Sequence, residues 1–355
     1  MTRIQELTSQ FSKHNIDALL VTSLSNIRYL TGFSGSAGSV LITKNKNYFI
    51  SDFRYLSQSA EEVSKDFEII IFAQGSLDYI ADIAKKENLK NIGFESHIAS
   101  FNTVKGLKEK FPDLNFVPVD SLIEPIIGKK NEDEIEKTKK AVEITDKTFE
   151  MILGMIKPGM TENELAAEIT YIHRKLGAET NAFEPIVASG IRSAFPHARP
   201  TDKKIAKGEF LKLDFGCVYK GLRSDLTRTI GIGSLNAEQK KIYSIVKEAQ
   251  QKALDAVKAG EHTKDIDSVA RNHITENGYG KNFGHGLGHG LGYDTHEGPY
   301  LNQRMDFVLD VNNIITIEPG IYVEGLGGVR IEDDVIVKTD GCEILNTSPK
   351  ELIIL

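Results

Sequence analysis

The most constraining stretch of this chain is Leu211-Lys-Leu-Asp-Phe-Gly-Cys-Val-Tyr-Lys-Gly-Leu-Arg-Ser-Asp-Leu-Thr-Arg-Thr229. Leu211, Leu213 and Phe215 alternate with Lys212 and Asp214, the period of a strand with one buried face. Tyr219-Lys220-Gly221 supplies a turn, and the chain returns through Asp225, Thr227 and Thr229. A turn centred between Tyr219 and Lys220 sets Asp214 opposite Asp225. Two carboxylates facing one another across a ladder repel, and burying them adds a desolvation cost. A bound cation relieves both problems. The hairpin therefore reads as half of a metal site, or else as two solvated aspartates beside a turn.

Three later segments add chemistry of the same kind. Between Gly284 and Gly292, glycine takes every second place, with His285, Leu287, His289 and Leu291 between. An extended backbone there points both histidines to one face and lets a neighbouring chain approach the glycine face. Ile314-Ile-Thr-Ile-Glu-Pro-Gly320 sets Glu318 at the end of an apolar strand. Gly327-Gly-Val-Arg-Ile-Glu332 sets Arg330 and Glu332 on the face opposite Val329 and Ile331. Asp214, Asp225, His289, Glu318 and Glu332 thus offer four acids and one imidazole on or beside strands. That oxygen-rich set suits a hard or borderline divalent ion such as manganese, and four carboxylates suit two ions better than one. A zincin motif fails because His296-Glu297 is followed by Tyr300 where histidine is required, and no P-loop, dinucleotide fingerprint or serine elbow is present.

Length and composition bound the rest. At 355 residues, with 40% hydrophobic and 26% charged residues, the chain has the make-up of a two-domain globular protein. A net charge of −7 argues against a general nucleic-acid or anionic-membrane binder. Cys217 and Cys342 are too few for a disulfide framework or a zinc cage. The first ten residues lack an apolar signal segment and no run approaches the length of a membrane span, so a cytoplasmic location is expected.

Alternating helix and strand patterns place a smaller α/β domain at 1–122, with 26–38 read as a loop, and a second domain at 123–355. The second domain opens on a long helix, N-capped by Asn131 with Glu134 three places on and running to about Ile156. After it, Lys157-Pro-Gly159 leads into a capping box from Thr161 to Glu164. Lys258-Ala-Gly260 and the helix start at 261–266 echo that junction, as in a domain of two duplicated halves.

The motifs LDFG, SDLTRT, GHGLGHGLG, IEPGIY and GGVRIEDD, in this order, resemble those of the pita-bread metallopeptidases, specifically the aminopeptidase P and prolidase branch. NIRYLTGFSGSAG and SDFRY, within 26–55, extend the resemblance to that branch's N-terminal domain. The resemblance implies an α+β fold in which a curved antiparallel sheet backed by helices follows a smaller α/β domain. It implies two divalent ions, manganese first and cobalt or zinc next, held by Asp214, Asp225, His289, Glu318 and Glu332. It further implies substrate contacts from His197, His296, Phe183 and Arg330, with Arg330 beside Glu332 and with Glu318, His197 and His296 in the catalytic steps. Ile186 and Val187 are further candidates for an apolar wall around a proline ring, and His285 is expected to be structural. The implied substrate is a peptide with proline at the second position, and the implied assembly is a homodimer.

Some prolidases carry an arginine four places after the histidine of His-Glu-x-Pro, which reads a dipeptide's terminal carboxylate. Here that position is Tyr300, and the nearest basic residue is Arg304. The expectation is therefore aminopeptidase P behaviour on longer peptides, with dipeptide cleavage as the alternative. A non-catalytic peptide-binding protein is the reading from another class.

Overall fold

In a computed structural model describing residues 2–73 and 76–355, every side chain of the apolar strand β1 (Ala18–Val21) is buried. A strand covered on both faces has that pattern. Around it lie β2 (Ser39–Thr43), β3 (Asn47–Asp52), β4 (Phe67–Phe72), β5 (Asn91–Glu95) and β6 (Asn115–Val119), in the sheet order β4-β3-β2-β1-β5-β6. Helices α1 (Arg3–Ser9), α2 (Leu24–Thr31), α3 (Leu56–Glu62), α4 (Ser76–Lys86), α5 (Phe101–Lys110) and α6 (Glu124–Ile127) complete this unit, which spans 1–127. Helix α6 belongs with it, and its Ile126 and Ile127 are buried.

Residues 26–31, expected as loop, are helical. Ser23 caps α2 through the Asn26 N–H, and buried Glu95 accepts from the main-chain N–H groups of Thr22 and Ser23 at 2.6 and 2.9 Å. A buried carboxylate with that many donors fixes where the helix starts, a tertiary constraint that local pattern does not carry.

The second unit, 128–355, shows its duplication in hydrogen bonding as well as in sequence. Helices α7 (Glu132–Leu153) and α8 (Glu162–Lys175) meet at Gly159, whose N–H donates to Ile205 O at 2.8 Å. Helices α9 (Ala237–Ala256) and α10 (Thr263–Glu276) meet at Gly260, whose N–H donates to Leu309 O at the same distance, 2.8 Å. Asn131 and Thr161 form the capping boxes that the sequence predicts.

The strands are β7 (Thr180–Asn181), β8 (Ile186–Ser189), β9 (Glu209–Phe215), β10 (Cys217–Tyr219), β11 (Leu222–Arg223), β12 (Leu226–Ile232), β13 (Gly288–Gly290), β14 (Glu297–Leu301), β15 (Ile314–Ile317), β16 (Gly320–Val323), β17 (Gly327–Arg330), β18 (Asp333–Lys338) and β19 (Gly341–Ile344). The antiparallel layer is segmented into ladders: β12-β9-β8, β11-β10-β7, β14-β13-β15-β18-β19 and the pair β16-β17. Pro319, which lacks an N–H, separates β15 from β16. Glu332 N, between β17 and β18, donates instead to Thr227 O at 3.1 Å and so ties the ladders together.

Alternation along these strands decides what faces the site. Leu211, Leu213, Phe215, Leu226 and Ile230 pack with Ile152, Leu165 and Ile169 of α7 and α8. Ile315, Ile317, Val329 and Ile331 pack with Val246, Ala249 and Ile266 of α9 and α10. The residues between them turn to the other face. These include Lys212, Asp214, Asp225, Thr227, Glu318, Arg330 and Glu332.

The hairpin register differs from the expected one. Asp214 pairs with Thr227, and β10 pairs Tyr219 with Leu222, so the turn is Lys220-Gly221. Both turn residues have positive φ, 46° and 90°, the geometry of a two-residue hairpin turn that follows the strand twist. The ladder is thereby shifted by two positions. A two-residue shift preserves the face, so Asp214 and Asp225 are diagonal neighbours on one side rather than directly opposed.

Candidate active site

The face left by that alternation forms a cleft of about 260 Å³. Asp214, Asp225, His289, Glu318, Glu332, His197, His296, Phe183 and Arg330 all line it, together with Ile186. Val187 does not: it is fully buried in the core with Leu211 and Leu213, as the next residue along a strand must be.

Asp225, His289 and Glu332 each offer one ligand atom, and these atoms lie within 4.8 Å of one another. His289 Nε2 is 3.4 Å from Glu318 Oε1 and 3.9 Å from Asp225 Oδ2. Its Nδ1 is 3.1 Å from Gly290 O, which leaves Nε2 for the carboxylates. The glycines explain how this histidine enters. A Cβ at Gly288 would meet Thr316 O at 2.0 Å, so only glycine lets β13 lie this close to β15.

The other donors are tied in place. Glu332 Oε2 accepts from Thr227 Oγ1 at 2.6 Å, and Asp225 N donates to Asp334 Oδ2 at 2.9 Å. Asp225 Oδ1 is buried and accepts no hydrogen bond among the described residues. An unpartnered buried carboxylate oxygen is costly, and a cation removes that cost. Burial, then the neighbouring Glu332, pushes Asp225 well above the usual carboxyl range. Burial, then Glu318 and Asp214, does the same to Glu332. Burial pushes Glu318 up to about 8, opposed by the Arg330 guanidinium. Burial holds His289 down to about 3, so its imidazole is neutral, as a metal ligand must be. Donor chemistry, crowding and the orphaned oxygen together fit divalent metal.

Arg330 is linked to Glu332 through Thr227, whose hydroxyl is hydrogen-bonded to both, and its Nη2 also donates to Asp214 Oδ2. Its Nη1 reaches Tyr322 OH at 2.8 Å and its Nε reaches Thr227 Oγ1 at 3.1 Å. Tyr322 OH lies 2.9 Å from His285 Nε2, so Asp214, Arg330, Tyr322 and His285 form one hydrogen-bonded chain. His285 is therefore held through its ring nitrogen.

Sequence reasoning missed Tyr322 and Lys212. Lys212 is fully buried on the face of Asp214, and its ammonium donates to Phe195 O at 2.7 Å and Pro196 O at 3.2 Å. It thereby holds the main chain leading into His197. The signal was present in the hairpin, because a lysine two places before Asp214 in a strand shares its face. His197 and His296 are both held below the ordinary histidine value, chiefly by burial. The rings of His289 and His296 stand 4.4 Å apart.

Residues 136–339 match the family model described as metallopeptidase family M24, and 3–126 match the Creatinase/Prolidase N-terminal domain. The chain belongs to metallopeptidase family M24. It is a metal-dependent peptidase by that membership, with the pita-bread fold in its M24 domain. The M24 chain is 39% identical to an Xaa-Pro dipeptidase of Pyrococcus horikoshii, covering 99% of this chain and 98% of the relative. Among solved structures it is similar to an Xaa-Pro dipeptidase from Bacillus anthracis, with TM-score 0.97, 43% identity and 99% of each chain covered. It is also similar to an X-Pro aminopeptidase from Thermotoga maritima, with TM-score 0.90, 40% identity and coverage of 98% of this chain and 100% of that one. Among the described residues of this M24 chain, no helix is long and apolar enough to cross a membrane.

Proposed function

We propose that this chain is an Xaa-Pro dipeptidase, which hydrolyses the bond between an N-terminal residue and a C-terminal proline. This reverses the preference drawn from Tyr300, because Xaa-Pro dipeptidases and prolidases recur among the relatives and solved structures that match along nearly the whole chain. The observation that carries the reading is the cleft itself. At about 260 Å³ it falls just below the usual range for ligand sites, with buried acids and His289 at its base and Phe183, Pro185 and Ile186 on its wall. A dipeptide with a proline ring suits that size and composition.

In this reading Asp214, Asp225, His289, Glu318 and Glu332 would hold two divalent ions between them. Manganese is favoured because four of the five donors are carboxylates. The ions, when bound, would polarise the scissile carbonyl and lower the pKa of water. Glu318 accepts a proton from the attacking water and passes it to the proline nitrogen, which leaves as an amine. Neutral His197 and His296 donate N–H to the oxygen that gains charge at the scissile carbonyl. Arg330 holds Asp214 in place while Lys212 holds the main chain before His197.

The comparison that tests this is kcat/KM for Ala-Pro against Ala-Pro-Ala-Ala with manganese-loaded protein. The dipeptide is expected to be the better substrate by at least about tenfold, the low end for a charged hydrogen bond to its carboxylate. A tetrapeptide cleaved as well or better would assign the chain to aminopeptidase P behaviour.

A further inference from the structure

A dipeptidase must read the carboxylate that a longer peptide lacks, and neither Tyr300 nor Arg304 is among the residues lining the cleft. Two arginines line it, Arg199 and Arg330. Arg330 is only 2% exposed, and its donors are already directed at Asp214, Tyr322, Thr227 and the Pro196 carbonyl.

We propose that Arg199 is the residue that reads the substrate's terminal carboxylate, an inference that rests on the dipeptidase reading above. Its guanidinium donates no hydrogen bond among the described residues. Its nearest acid, Glu184, lies 3.6 Å from Nε, and the two side chains are 85% and 66% exposed. So loose a surface pair is worth little, and a substrate carboxylate competes with it easily. The backbone beneath is firmly held. Arg199 O accepts from Arg192 Nη2 at 2.6 Å, and Arg192 Nε is bound by the buried carboxylate of Glu162 at 3.0 Å. The same carboxylate accepts from Thr201 N at 3.1 Å and Thr201 Oγ1 at 2.8 Å. Burial alternates along this segment, with Ala198 inside and His197 and Arg199 outside. His197 and Arg199 both line the cleft, so the guanidinium stands at the space that His197 faces. A planar fork on a fixed base, with its ends unengaged, matches a carboxylate bidentately.

The test uses the manganese-loaded full chain with Ala-Pro and its amide, Ala-Pro-NH2, which differ only in the terminal charge. Wild type is expected to favour the acid by at least about tenfold in kcat/KM. Arg199→Met should bring the two substrates to near parity, through a raised KM for Ala-Pro and an unchanged KM for the amide. Arg199→Lys, which keeps the charge and loses the fork, should fall between. An acid preference that survives intact in Arg199→Met overturns the assignment of Arg199 and leaves the dipeptidase reading standing. A wild type indifferent to the terminal charge overturns the dipeptidase reading and the assignment with it.

Discussion

Asp225→Asn and Glu332→Gln are each expected to lose well over about a hundredfold in kcat/KM on Ala-Pro, exceeding the usual cost of removing a group that only supports a ligand. Each side chain lies in the tight cluster with His289, and each is buried at the base of the cleft. An amide at either place keeps the shape but removes a charge from a site built to meet two divalent ions. Metal content should fall together with activity. His285→Ala is the comparison, since His285 touches Tyr322 and not the cluster, and its loss should be clearly smaller. Equal losses in all three variants, or full activity in either carboxylate variant, would count against the assignment of ligands.

The second large effect is on stability, and its sign depends on which state holds more protons. In metal-free protein Glu318 is raised to about 8 by burial, and Asp225 and Glu332 are raised for the same leading reason. A carboxyl raised on folding contributes stability that is present below its unfolded value and is lost as pH climbs through its folded value. His285 and His289, held down to about 3, act in the opposite direction, but only below their ordinary value of 6.5. Between pH 6.5 and 8 only the carboxyl effect remains in the cluster. For one such group it amounts to about 2 kcal/mol across the window. Chelated protein should therefore lose at least about 2 kcal/mol more than manganese-loaded protein when denaturant unfolding at pH 6.5 is compared with pH 8. A chelated form that gains stability over that interval, relative to the loaded one, would contradict the proposed burial of charge.

The sequence made the site residues legible because strand alternation is a local rule. Once Leu211, Leu213 and Phe215 are assigned to a core, Asp214 must face away from it, and the same holds for Glu318 beside Ile317 and Glu332 beside Ile331. The hairpin register was less legible. It depended on Lys220 adopting a left-handed conformation, which a non-glycine residue does seldom and which nothing nearby announced. The direction of Arg330 was hidden for a different reason. Asp214 lies more than a hundred residues earlier in the chain, and only tertiary packing brings its carboxylate to the guanidinium. Helix α2 was hidden in the same way, because Glu95, far along the chain, supplies acceptors at its start.

Metal dependence of proline-bond cleavage is the centre of this account, and one titration tests it. Protein stripped by a chelator is supplied with manganese in steps while Ala-Pro hydrolysis and bound metal are followed together. Cleavage should be absent at the start, appear as metal binds, and level off at two ions per chain, with protons released as Glu318 and its neighbours give them up. Metal-free protein that cleaves Ala-Pro at the rate of the loaded form would contradict it.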